Sequence, residues 1–557
     1  MARAILFLLS VATAFSYIRN VTATGVPLVR RDAAGIQFQV GPSVKAGAVN
    51  ADGFTVITAN SDPLAAFTAA AASWSAVPNA TIRFAPVQPG SQENNPRDGK
   101  HTITIADTPE TRSIVGPYLA ITLWAYTDDG TIMDTDVLLN PALTEGSNHV
   151  AFSTDHSPGT YDLQSVATHE FGHALGANHS GILSASMYQS TIEFSPYASL
   201  AEATAQGTLS ADDAAFAVSA YPAPGAASAY ARIAGTVRFD NGSPVRGALV
   251  VAVDPAAGIA VASMTSLANG GYAITGVPPG RYQLYAQPLD GPVVPASLGL
   301  PSAGVDTSFR TSFFGGNGSP AWVEAPGGAA AAADIQVDAT PSTMHIDQLG
   351  TGSAGGSDWV WASIRTIVSG GTCDLLVWGR GFEAGVAPEQ IRLLGPGITL
   401  RPGSVRLQPS AAVNGVTPVR MTVDIAPRDT RAQVPLAVVG GTDAAVNSAG
   451  LVLLPAPAPS ATAGLEVSGS ADFAWQSGED APLPQIFTVT SPVVGTTFTV
   501  TASSAGGWLS ATPAAGSTPA TIQVSADPAG LGPGTYDGTI SVGASVVPVT
   551  FTVSTLQ

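Results

Sequence analysis

The sequence predicts a multidomain chain in which an α+β domain is followed by all-β, immunoglobulin-like sandwich domains. Three observations carry this expectation. The chain has 557 residues, and at about 150 residues per domain such a length calls for three or four cores in series. Glycine (60) and proline (43) are abundant, whereas charged residues make up only 11%, a balance suited to short strands joined by many turns. The hydrophobic pattern also changes along the chain: helical spacing is concentrated before residue 222, and period-two alternation prevails from 231 onward. With 45% hydrophobic residues and a mean hydropathy of +0.25, the chain can build cores, which excludes a disordered protein.

The net charge is −18, from 22 Lys+Arg against 40 Asp+Glu. Such a surface repels phosphate backbones, so nucleic-acid partners are not expected. Cys373 is the single cysteine, which forbids an intrachain disulfide and any cysteine-based zinc or iron–sulfur site. Large β-domains stabilised without disulfides suit a bacterial exported protein. Arg3 followed by an apolar run from Ala4 predicts a Sec-type signal peptide over 1–23, cleaved after Ala23. An uncleaved anchor is the other reading, but the run falls short of the ~18 residues that a span requires. No later segment is long and apolar enough to cross a bilayer, so a secreted mature chain, extracellular and without a membrane span, is expected.

Within 24–222 the elements follow in order. Residues 63–74 (PLAAFTAAAASW) read as an alanine-rich helix, and 80–84 and 101–105 as strands. Residues 118–126 and 131–139 form a hairpin about Asp128-Asp129-Gly130, a turn sequence that tolerates positive φ. Leu163, Val166, Ala167, Phe171, Ala174 and Leu175 recur at helical intervals behind a candidate N-cap, Asp162, which predicts a helix over about 163–175. Ser210 and Asp213 form a capping box that opens a closing helix. Residues 223–230 (PAPGAASA) read as a linker, and a peptide ending near Pro222 is expected to work alone. Alternating strands then predict β-domains over 231–340, 341–455 and 465–557, with a second Pro/Ala linker at 456–464.

The chemistry is concentrated in HEFGHALGANHS, residues 169–180. His169 and His173 are one helical turn apart on one face, as two imidazoles converging on one metal require. Gly176 stands where the helix must stop, because glycine enters the left-handed conformation without a Cβ penalty. The turn returns His179 as a third ligand. Three nitrogen donors leave a fourth position of a Zn²⁺ site open, and Glu170, directly after the first ligand, is placed as general base for the attacking water.

This motif, with Met187 eight residues beyond His179, resembles the metzincin zinc metallopeptidases. Ser180 and Ser186-Met187-Tyr188 resemble the matrixin branch, in which the methionine supports the site from beneath. The resemblance implies a catalytic domain with a twisted mixed sheet and an active-site helix, one catalytic Zn²⁺, metalloendopeptidase activity on protein or peptide substrates, and an edge strand near 119–123 that pairs with substrate. It also suggests a pocket walled by Leu119, Phe194, Pro196 and Tyr197. The tyrosine ligand of astacin-like relatives is not expected, because Tyr188 directly follows Met187. The short, histidine-free segment 107–116 predicts no structural zinc, and Cys373 lies too far along to serve a cysteine-switch propeptide. His149 and His156 read as loop residues. Asp134, Asp136 and Asp128 or Asp129 are candidate oxygen ligands for Ca²⁺, against a solvent-facing row and a turn.

Residues 231–286, with Gly271-Tyr272 and Pro278-Pro279-Gly280-Arg281-Tyr282, resemble carboxypeptidase regulatory-like sandwiches. Leu376-Val377-Trp378-Gly379-Arg380-Gly381-Phe382 resembles IPT/TIG modules. Gly507-Trp508-Leu509-Ser510 and 533–540 resemble BACON-like modules, which implies contact with extracellular glycans, with Trp508 either a sugar platform or a core residue. The alternative to an active peptidase is an adhesive or carbohydrate-binding multi-module protein with an inactive peptidase fold; a zinc hydrolase of non-peptide amides or esters is a third reading.

Overall fold

The computed structural model describes residues 18–555, apart from 94–97, 147, 195–197, 266–267, 301–302, 356–358, 383, 456–464, 470–471, 479–480 and 492–495. The chain divides into two compact units, Met1–Pro455 and Ala456–Gln557.

The first unit opens with a five-stranded sheet of β1 (Phe38–Val40), β2 (Gln88–Pro89), β3 (His101–Thr104), β4 (Ala120–Tyr126) and β5 (Ile132–Leu139), in the order β2-β1-β3-β5-β4. The strands run parallel except where β4 pairs antiparallel with β5, so the sheet is mixed and β4 is its edge. Gly130 in the hairpin turn has φ 81°, the conformation that the Asp-Gly sequence anticipates. Helix α1 (Pro63–Ser75) starts with proline at N1 and is capped by Asp62, whose side chain accepts from Ala65 N. It buries Phe67, Ala70 and Trp74 against α3 (Leu163–Ala174), itself capped by Asp162.

Residues 80–84 depart from the strand expected there, making only single bridges, Ile36 to Phe84 and Ala80 to Pro222. Thr81 N donates instead to Tyr221 O at 2.7 Å, so the segment stitches the closing helix to the core. Within the short segment 107–116, residues 109–115 form helix α2 (Pro109–Val115), capped by Thr108. Helix α4 (Leu200–Ala203) and α5 (Ala211–Ala220) complete this region, the latter with both arms of the Ser210–Asp213 capping box.

Two β-sandwiches follow. In the first, strands Ala231–Phe239 and Gly271–Val277 face Leu249–Asp254 and Gly280–Gln287 across a core that includes Ile233, Val250, Ile274 and Leu284. In the second, Gly371–Arg380 and Val419–Ile425 face Ala432–Gly440 and Asp443–Leu454 across Leu375, Met421, Val434 and Leu451.

Residues 223–230 are not a free spacer. Ala226–Ala229 form a helical turn, and Ala226 is buried in the core of the α+β domain, because the Ala-rich text that looked like a linker is also apolar enough to pack. A separate core joins the three domains: Ile182, Leu183, Ala185 and Tyr188 pack with Leu249, Val251, Ala262 and Leu298 of the first sandwich and with Ala437 and Val446 of the second. A buried ion pair adds to it, Arg365 Nη1 to Glu202 Oε2 at 2.9 Å. Of the expected leader, 1–17 lie outside the described residues, but 18–23 are seated on the domain: Asn20 N donates to Gly176 O at 3.0 Å and Asn178 N to Ile18 O at 2.8 Å. Cleavage after Ala23 would remove these contacts.

In the second unit, two sheets enclose Phe487, Ile522, Ile540 and Phe551. Trp508 is 2% exposed in that core, its ring 5.4 Å from that of Phe551, so the core reading of this residue holds and the sugar platform does not. The linker expected at 456–464 lies outside the described residues.

Candidate metal centre

The helical repeat of α3 brings the His169 and His173 rings to 4.7 Å, centroid to centroid. Gly176 leaves the helix at φ 90°, where a Cβ would overlap the Leu28 carbonyl oxygen. The chain then turns back, and the His179 ring comes within 5.2 Å of His169 and 5.0 Å of His173. One ligand atom from each of the three lies within 4.8 Å of the other two.

Each ring is oriented through its Nδ1. His169 faces Ser186 O at 2.8 Å, His173 faces Ala177 O at 2.8 Å, and His179 faces Ser297 O at 2.9 Å. A carbonyl oxygen only accepts, so all three Nδ1 atoms donate and the Nε2 lone pairs are left free to converge. Burial holds these imidazoles neutral: it pulls His169 down to about 4, His179 to about 3, and His173 well below the usual range. Three neutral nitrogens with the tautomer already set are the donor set of a zinc site with one open position, so the residues present fit zinc.

Glu170 is buried on the same helix, and its Oε2 accepts from the Thr122 hydroxyl at 2.6 Å. Burial raises its carboxyl to about 7. Trp124 Nε1 donates to His173 O at 2.8 Å. Thr122 and Trp124 were not singled out from the sequence, although period-two spacing on an edge strand would place both on one sheet face.

Met187 is fully buried. A Cβ on Gly172 would overlap its Sδ and stand 2.8 Å from Trp74 Cζ2, so the glycine inside the histidine motif is what lets the methionine pass beneath α3. Asp213 ties that turn to α5: Oδ2 accepts from Ser186 N at 2.9 Å and Oδ1 from Met187 N at 3.1 Å. The same carboxylate closes the capping box, so a signal read as a helix start also holds the methionine turn.

Of the expected pocket residues, Leu119 and Phe194 are among the described residues. Leu119 is half-buried against the α+β core. Phe194 is buried, its N–H donating to Thr160 O at 2.8 Å and its ring 5.1 Å from His156, while Pro196 and Tyr197 lie outside the described residues. His156 is half-buried and pulled down by burial rather than solvated, whereas His149 is exposed and stacked on Phe54. Of the calcium candidates, Asp134 and Asp136 are buried and do not form a solvent-facing row. Asp134 Oδ1 meets His101 Nδ1 at 3.1 Å, Asp136 accepts from Thr102 N at 3.0 Å, and Asp129 pairs with Arg31 at 2.6 Å. Among the described residues, the histidine triplet is the group spaced to hold a metal ion.

A family model described as Matrixin matches residues 58–219. These residues are similar to matrixins. A second model, the carboxypeptidase regulatory-like domain, matches 232–290, so the order of these two modules read from the motifs stands, and residues 58–219 are metallopeptidase-like. No curated protein matches the chain significantly. Solved structures with some likeness include S-layer protein SbsC domains 4 and 5, at 18% identity over 28% of this chain and 77% of that one, with a TM-score of 0.14. Others are a protein of unknown function from Porphyromonas gingivalis W83 (13% identity, 37% and 99% coverage, TM-score 0.15) and the major pilin subunit of Bacillus cereus (10%, 59% and 98%, 0.13). At such TM-scores these likenesses assign neither fold nor function.

Proposed function

We propose that the matrixin domain is an active zinc endopeptidase of a secreted bacterial protein. The observation that carries this reading is the convergence of His169, His173 and His179, each with Nδ1 committed to a carbonyl, beside the buried carboxyl of Glu170. Bound by the three histidines, zinc supplies Lewis acidity, polarising a scissile carbonyl and acidifying water.

The chain supplies the remaining steps. An extended peptide pairs with the free edge of β4, and the carbonyl to be cut is thereby brought beside the site. Glu170, steadied by Thr122, takes a proton from the attacking water and passes it to the leaving amine. Protein substrates accord with the matrixin family. Secretion is supported by the apolar leader text, and among the described residues no helix is long and apolar enough to cross a membrane.

Glu170→Ala removes the base and leaves the ligands, so zinc content and fold should persist while peptide hydrolysis drops about 10²–10⁴-fold. Equal turnover by wild type and variant, measured on a peptide library with and without a chelator, would overturn the assignment.

A further inference from the structure

We propose that the first β-sandwich completes the metal centre, its turn Pro295–Leu298 fixing the orientation and tautomer of His179 through the Ser297 carbonyl. The proposal rests on the three histidines being metal ligands, as read above.

The asymmetry among the three rings is the starting observation. His169 and His173 are held by Ser186 O and Ala177 O, both within the matrixin domain. His179 is held by a carbonyl 118 residues away, in a turn between two paired strands of the first β-sandwich, Gly280–Gln287 and Ser312–Phe313. The third ligand is therefore in position only while the sandwich is docked.

The turn itself is secured from both sides. Ser297 is 2% exposed; its Oγ accepts from Gln189 Nε2 of the matrixin domain at 2.8 Å and from Val294 N of its own turn at 3.1 Å. Leu298, fully buried, packs in the joint core with Ile182, Leu183 and Tyr188. Those residues lie between His179 and the segment following Met187, so the core that docks the sandwich also immobilises the loop carrying the third ligand. Asn178 adds to the hold, its Oδ1 accepting from His179 N at 2.7 Å. The first sandwich is thus a positioning element for the zinc site, acting through His179.

Without the Ser297 carbonyl the His179 Nδ1–H has no fixed acceptor, and the ring is free to turn or to exchange tautomers, which removes Nε2 from the metal for part of the time. Loss of an outer-shell partner of this kind costs about 10–100-fold in metal affinity. Because a main-chain carbonyl cannot be deleted by substitution, three variants of the full chain test the point. Replacing residues 295–298 by two glycines withdraws the carbonyl; Ser297→Ala keeps the carbonyl and removes the hydroxyl that accepts from Gln189 and Val294 N, and Ser297→Thr restores the hydroxyl.

Zinc affinity is read by competition with a chelator, and ligand geometry by the visible absorption of the Co²⁺-substituted protein. The expected result is about 10–100-fold weaker zinc binding for the turn replacement, a smaller loss with an altered Co²⁺ spectrum for Ser297→Ala, and recovery in Ser297→Thr. If the turn replacement does not fold, Ser297→Ala against Ser297→Thr carries the test alone. Zinc affinity and Co²⁺ spectra equal to wild type in the folded variants overturn the proposal while leaving the metal centre intact. Failure of the wild-type chain itself to bind zinc would instead overturn the reading of the three histidines.

Discussion

A chain cut at Pro222 removes both sandwiches and leaves the loop after His179 without its cover. Ile182, Leu183 and Tyr188, at 0%, 1% and 4% exposure in the intact unit, would face water. Burying a large apolar side chain stabilises by about 1.5–3 kcal/mol, so three such residues represent about 5–9 kcal/mol. A denatured chain already buries part of this surface, which brings the loss toward about 5 kcal/mol. Domains are stable by only about 5–15 kcal/mol in total. The fragment also loses the Ser297 carbonyl on His179 and the amide of Ala262 that Asp212 Oδ1 accepts at 2.7 Å. We therefore expect residues 18–222 to be proteolytically labile and deficient in zinc, in contrast to the autonomous domain that the Pro/Ala text at 223–230 suggests. Thermal unfolding, limited proteolysis and zinc content of the fragment, measured beside the full chain, check this. A fragment that unfolds cooperatively within a few degrees of the full chain and retains stoichiometric zinc would refute the reasoning.

Two further outcomes follow from buried groups near the site. Gly172→Ala places a Cβ against Met187 Sδ and Trp74, so unfolding should be easier by about 1–3 kcal/mol, read from denaturant midpoints; an unchanged midpoint would remove Gly172 as the reason Met187 fits. Asp212 is raised to about 7 chiefly by burial, from 3.8 in the unfolded chain, so the folded protein keeps a proton that the unfolded chain has released between these values. Its contribution to stability is full below about 4 and is lost as pH rises through about 7. The melting temperature of wild type minus that of Asp212→Asn should fall between pH 5 and pH 8; parallel curves would contradict this.

The metal motif was legible because its constraints are local. His169 and His173 need only a helical repeat, Gly176 only a residue free to adopt positive φ, and the hairpin at Gly130 only a turn of known chemistry. Each is decided by the dihedral preferences of a few neighbouring residues, and the structure places them as those preferences require. The Ser210–Asp213 capping box was legible for the same reason, but its second duty was not: nothing near Asp213 in the sequence shows that the methionine turn folds back onto it. The segment 80–84 misled because alternation records which side chains are buried and not which strand, if any, accepts the backbone hydrogen bonds.

By itself, then, the sequence pointed to the three histidines, the glutamate beside them, the helix that carries two of those histidines and the order of α+β and β-sandwich modules. Only the tertiary structure decided that Thr122 steadies Glu170, that Ser297 orients His179, that residues 223–230 are packed instead of free, and that three domains share one core around the loop from Ile182 to Tyr188. The division has a physical cause. Helix periodicity, caps and turns are written in neighbouring residues, whereas a hydrogen bond or an apolar contact across 118 residues depends on how separate surfaces fit, which no local pattern encodes.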